Sequence, residues 1–120
     1  MSIKNKMTGD FSDKPTTQTF FVAITKYIES LGLTNKEVKA QVSYGVNRKF
    51  IWLWAYDRTP DGILYMTVCL DKKIDDSHFH NVTQISKNRW NHHVEVRSQA
   101  AATSGWLRLL IHEGYEFAKK

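Results

Sequence analysis

Hydrophobic and polar positions follow two rhythms along this chain, and each change of rhythm marks an element. Phe20, Ile24, Tyr27, Ile28 and Leu31 recur at helical spacing, with Phe21 and Val22 widening the stripe. The spacing predicts a helix over residues 15–31, with Pro15 suited to its first turn and Gly32 to the left-handed residue that often ends one. Val38, Ala40, Val42 and Tyr44 then alternate with Lys39, Gln41 and Ser43, the period of a strand with one wet face. Gly45-Val46-Asn47 turns the chain into Phe50-Ile51-Trp52-Leu53-Trp54-Ala55-Tyr56, an unbroken apolar and aromatic run that reads as a strand buried on both faces. A second turn over residues 57–62 leads to a third strand over residues 63–70, in meander order. Residues 71–89 are polar and are expected to cross as a loop or a short helical turn capped near Asp75-Asp76-Ser77. Residues 90–98 alternate again as a fourth strand. Thr103 or Ser104 then caps a last helix with the stripe Leu107, Leu110, Ile111, Gly114 and Ala118.

The order helix, four strands, helix predicts an α+β fold: an antiparallel sheet of about four strands, with an N-terminal and a C-terminal helix packed on one face. Residues 1–14 form a polar lead expected to be loose, and residues 15–120 a single domain, because 120 residues suffice for one core and not for two. No apolar run approaches the about 18 residues that a membrane span needs. The lead lacks the apolar stretch of a secretory signal, and the single cysteine, Cys69, lies inside an apolar run where it can form no internal disulfide. These features point to the cytoplasm and to Cys69 as a small buried hydrophobe.

Because successive side chains of a strand point to opposite faces, Ile51, Leu53 and Ala55 are expected to meet the helices together with Val38, Val42, Val94 and Val96. The opposite face then carries Phe50, Trp52, Trp54, Tyr56, Lys39, Gln41, Ser43, His93 and Arg97. The third strand adds Ile63, Tyr65, Thr67 and Cys69 in one register and Leu64, Met66, Val68 and Leu70 in the other, and the polar atoms of the first set favour it for this surface. The chain carries 17 Lys and Arg against 12 Asp and Glu, a net charge of +5 that favours polyanions. Aromatic rings beside cations can stack on bases while the cations neutralise phosphates. The candidate ligand contacts are therefore Trp52, Trp54, Tyr56, Lys39, Lys49, His93 and Arg97, with nucleic acid or another anionic ligand as the partner. The alternatives are a homodimer that buries the aromatic row, a cover formed by residues 78–89, and an enzyme or small-molecule binder of unidentified substrate.

Catalytic and metal chemistry find little footing. His78, His80, His92 and His93 are raw material for a metal site, but adjacent strand residues face opposite ways and no Cys pair or His-Glu-x-x-His motif completes a set. These histidines are expected at the surface, and neither metal ligands nor a cofactor are assigned. No Gly-x-Ser-x-Gly turn or phosphate loop is present, and Asp71, Asp75 and Asp76 read as a solvated turn, so no catalytic residue is assigned either.

Several residues carry a resemblance. Phe11, Lys14 and Pro15 before the first helix, Tyr44 and Arg48-Lys49-Phe50 around the hairpin, Leu70-Asp71 with Ile74-Asp75-Asp76, and Trp106-Leu107 with Glu113-Gly114-Tyr115-Glu116 resemble a bacterial family whose members are named only as a domain of unknown function. It looks related to the YdhG/YjbR/CyaY-like group, whose compact α+β members include some described as double-wing DNA-binding candidates. The resemblance implies the fold over nearly the whole chain and no catalytic residues.

Overall fold

A computed structural model describes residues 5–32 and 34–120; residues 1–4 of the polar lead and Leu33 lie outside the description. In chain order the elements are β1 (Met7–Thr8), α1 (Pro15–Ser30), β2 (Asn35–Val38), β3 (Val42–Gly45), β4 (Lys49–Tyr56), β5 (Leu64–Leu70), β6 (Asn81–Ser86), β7 (Arg89–Val96), α2 (Gln99–Ala102) and α3 (Gly105–Ala118). The seven strands form one sheet in the order β2-β3-β4-β5-β7-β6, and all its pairs are antiparallel. β1 pairs with Ala55 and Tyr56 of β4, beyond the part of β4 that β3 covers. No helix among the described residues is long and apolar enough to cross a membrane.

The sheet thus has seven strands where the hydrophobic pattern predicts about four, and each addition has a physical reason. The single strand predicted around residues 38–44 is a hairpin of β2 and β3, with Val38 opposite Val42 and the Lys39 N–H donating to the Gln41 carbonyl at 2.9 Å. Alternation runs unbroken through that turn, which contains neither Gly nor Pro, so the pattern conceals the reversal. The pattern predicts a loop or short helical turn where β6 lies because most of its residues are polar; an edge strand needs one paired neighbour and no buried face. β1 is two residues long and lies in the lead expected to be loose, where Phe11 is also buried. Residues 71–80 do cross, from the end of β5 to the start of β6, and β7 returns between them.

The core lies on one face. Ile51, Leu53 and Ala55 of β4 stand beside Met66 and Val68 of β5 and Val94 and Val96 of β7, under Ile24 and Ile28 of α1 and Leu107 and Ile111 of α3. Side chains of this size contribute about 1.5–3 kcal/mol each when fully buried. Phe50 joins this face rather than the aromatic row. Tyr44 pairs with Ile51 but Gly45 with Lys49, so Phe50 is the extra residue of a β-bulge, which turns its ring towards Tyr115 of α3, 6.1 Å between centroids. α1 is docked from a distance in sequence: Asp61, in the β4–β5 turn, accepts from the Thr16 and Thr17 backbone N–H groups at 3.0 and 2.9 Å. Those bonds, with the Thr17 N–H foremost, hold the Asp61 carboxyl down to about 2. Gly62 follows at φ 98°, a conformation side chains resist.

α3 approaches the sheet most closely at Gly114, where an added Cβ would lie 2.7 Å from Val68 Cγ1 and 3.0 Å from Phe50 Cδ2. Gly114→Ala is therefore expected to lower stability by about 1–3 kcal/mol through overpacking, against the helix-propensity gain of about 1 kcal/mol that alanine brings. Urea denaturation measures the net sign. A midpoint unchanged or raised would show that α3 can lift from β4 and β5 without loss.

Candidate ligand-binding site

The face opposite the helices carries a second set of rows fixed by the same register. Ser43, Trp52, Thr67, His93 and Asn81 lie side by side across five strands, with Trp54, Tyr65 and Glu95 in the next row and Cys69, Asn91 and Thr83 in the row beyond. No helix covers them. Residues 71–80 cross on the helix side, where the Ile74 N–H donates to His92 Nε2 and Phe79 packs on Trp106 of α3, so they do not lie over the aromatic row. Only their end returns to the open face, where His80 and Asn81 form a rim.

Between the aromatic end and that rim lies a cleft of about 520 Å³, within the range of small-molecule sites. Trp54, Tyr56 and Tyr65 pack on one another at its aromatic end: Trp54 and Tyr65 stack at 5.8 Å, and Tyr56 meets Tyr65 edge-on at 4.9 Å. Trp54 is 8% exposed, so its ring face is already occupied. Trp52 differs. It is half-buried, makes no ring contact among the described residues, and stands between the small side chains of Ser43 and Thr67. Trp52 is the ring with a face to offer.

The polar lining is close to neutral. His93 Nδ1 shares a hydrogen bond with Thr67 Oγ1 at 2.8 Å, and burial, then the neighbouring His80 and His92, push its pKa down, so the ring is uncharged near pH 7. Glu95 is ion-paired by Arg97 at 2.6 Å. Two polar atoms in the lining lack partners among the described residues: the Trp54 indole N–H and the Asn91 side-chain carbonyl, both shielded from solvent. A buried donor or acceptor left unmade costs about 1–3 kcal/mol, so these two atoms are points of stored cost in the sheet beneath the cleft.

The family follows from the chain as a whole. It belongs to the family of the domain of unknown function DUF5655, whose model matches residues 7–118. No curated protein and no solved structure matches it.

In this DUF5655 domain the structure sets Trp52, Trp54, Tyr56 and His93 around the cleft. It leaves Lys39 and Lys49 outside the lining, both on Glu37 Oε1 at 3.3 and 3.0 Å, and holds Arg97 on Glu95. Asn91, Glu95, Asn81 and His80 are not among the ligand contacts that the sequence suggests, where His80 is weighed only as a metal ligand, although Asn91 and Glu95 share the alternation parity of His93 and are legible by it. The cysteine is inert in this setting: Cys69 is a buried free thiol whose pKa burial raises. Among the described residues no three His, Cys, Asp or Glu side chains are grouped to hold a metal ion.

One histidine departs from the expected surface position. His92 is completely buried on the helix face; its Nε2 accepts from Ile74, which leaves Nδ1–H to donate to the Val68 carbonyl at 3.3 Å. Burial lowers the pKa of His92, as it does that of His93, below the ordinary 6.5. The unfolded chain therefore takes up protons that the folded one refuses, and stability is expected to fall as pH drops from about 7.5 to about 5.5, beginning near the unfolded value of about 6.5. Chemical denaturation at those two pH values measures the loss, and a His92→Asn, His93→Gln variant should show a flatter dependence. Equal slopes in both proteins would place the titration elsewhere.

Proposed function

We propose that this domain is a binding module whose open-face cleft takes a planar heterocycle with hydrogen-bonding edges, of the nucleobase class. The observation that carries the reading is the half-buried Trp52 ring, set between the small side chains of Ser43 and Thr67 in a cleft whose edges carry hydrogen-bonding groups. A base stacked on Trp52 would present acceptors and donors at its edge, and stacking of this kind contributes about 1–3 kcal/mol per base. The near-neutral lining, with Glu95 paired and His93 uncharged, fits an uncharged ring better than a bare anion. The resemblance to the YdhG/YjbR/CyaY-like group, with its DNA-binding candidates, points in the same direction. Cys69 as a free, buried thiol suits a cytoplasmic setting.

Tryptophan fluorescence titration with the four uncharged ribonucleosides tests the reading. Saturable change with at least one of them is expected. Trp52→Ala should weaken that binding by about 1–3 kcal/mol, the stacking contribution, and Asn91→Leu should weaken it while leaving the melting temperature near that of the parent. Absence of any saturable change up to the solubility limit of all four would end the proposal.

A further inference from the structure

Seven of the chain's 17 Lys and Arg residues come together at one end of the sheet. Antiparallel pairing brings the β3–β4 turn, the end of β5 and the β6–β7 turn together, since Leu70 pairs with Trp90 and Ser86 with Arg89. The end of α3 joins them: the Asn47 N–H donates to the Ala118 carbonyl at 2.9 Å, and Lys120 Nζ meets Asp71 at 3.2 Å. These segments bring Arg48, Lys72, Lys73, Lys87, Arg89, Lys119 and Lys120 to one end, against Asp71, Asp75 and Glu116. The surplus of four there is most of the chain's net +5. A depression of about 460 Å³ lies among Arg48, Lys87, Arg89 and Lys120, with Ser86 and Asn88 as neutral donors and with Asp71, which Lys120 pairs, as its one carboxylate.

The cations differ in how they are engaged. Lys73, Lys119 and Lys120 each have a carboxylate partner, and Arg48 lies 4.8 Å from the centroid of the Phe117 ring while donating to the Lys120 carbonyl, which fixes its guanidinium in place. Lys72, Lys87 and Arg89 have no carboxylate partner among the described residues. Arg89, Asn91 and His93 follow one another on the open face of β7, so the basic end runs directly into the cleft, with Arg89 about 7 Å from Asn91 at the ordinary strand rise.

We infer that this end holds the sugar-phosphate backbone of a single-stranded nucleic acid whose base lies in the cleft. The inference rests on the cleft reading proposed above and names its ligand class. Fixed guanidiniums and free ammonium groups suit phosphate oxygens. A duplex keeps its bases paired and stacked, so only an unpaired strand can place a base against Trp52 while its flanking phosphates reach Arg89 and Lys87.

The test uses the full chain, a short fluorescently labelled single-stranded oligonucleotide of mixed sequence, and anisotropy at a series of salt concentrations. Each neutralised phosphate contributes about 0.7 to the fall of log affinity with log salt on a single strand. The Lys87→Glu, Arg89→Glu variant should bind the oligonucleotide more weakly and lose about 1.4 from that slope, with two contacts removed, while its binding of uncharged nucleosides stays as in the parent. The milder Lys87→Gln, Arg89→Gln variant should move in the same direction, which guards against an effect of charge reversal on folding. Unchanged oligonucleotide affinity and slope in both variants would overturn the inference while leaving nucleoside binding intact. Equal affinity for the matching duplex, or for vesicles of phosphatidylglycerol and phosphatidylcholine, would overturn it in favour of a less selective anionic partner. If nucleosides fail to bind the parent protein, the cleft reading falls and the inference falls with it.

Discussion

Everything in this fold depends on α3 lying close against β4 and β5, and that closeness depends on position 114 having no side chain. With Gly114 set against Val68 and Phe50, the helix can seat Leu107, Leu110 and Ile111 in the core. The bulge at Phe50 belongs to the same constraint. Regular alternation would point Phe50 to the open face, and the inserted residue turns it to where α3 needs a ring to pack on. Once both long helices occupy one side, the residues of opposite parity are left on the other, with no layer to bury them. That open face is the origin of the cleft.

A bare aromatic sheet face is an aggregation hazard, and the molecule handles it in two ways. Trp54, Tyr56 and Tyr65 satisfy one another as a self-packed cluster, while the strands beyond carry Thr67, Thr83, Asn81, Asn91 and His93. The outermost strand, β6, is mostly exposed and polar, with a register shift between Gln84 and Ser86 that discourages pairing with another chain. The result is a concave, polar-edged surface with a single well-presented ring, Trp52. Electrostatics divides along the same lines: cations near the cleft are held by Glu37 and Glu95, while Lys72, Lys87 and Arg89, without a carboxylate partner among the described residues, come to the end where three loops and the α3 terminus meet.

What the sequence discloses and what it hides follow from the range of each interaction. Helix α1 and the faces of β4, β5 and β7 are legible because the 3.6 and 2.0 periods are local, and Trp52, Trp54, Tyr56 and His93 come to one face by that period alone. The reversal between β2 and β3 is hidden because Ala40 continues the alternation through the turn. β6 is hidden because an edge strand carries no hydrophobic signature. The burial of His92 and the capping of α1 by Asp61 depend on partners 18 and 45 residues away, Ile74 and Thr16, which no window of sequence can pair. The basic end is hidden for the same reason: its cations look scattered along the chain, and only the antiparallel register gathers them.

The shape of the open face also bears on what can cover it. A two-fold dimer seam sets a patch against its own copy, and two concave surfaces placed face to face enclose a void instead of a packed interface. A small planar ring does not meet that difficulty. Under the reading proposed above it would enter the cleft, whose volume exceeds that of one ring, and stack on one indole with a rigid frame whose ordering entropy is already low. The geometry therefore favours an occupant that enters the cleft over one that lies across it.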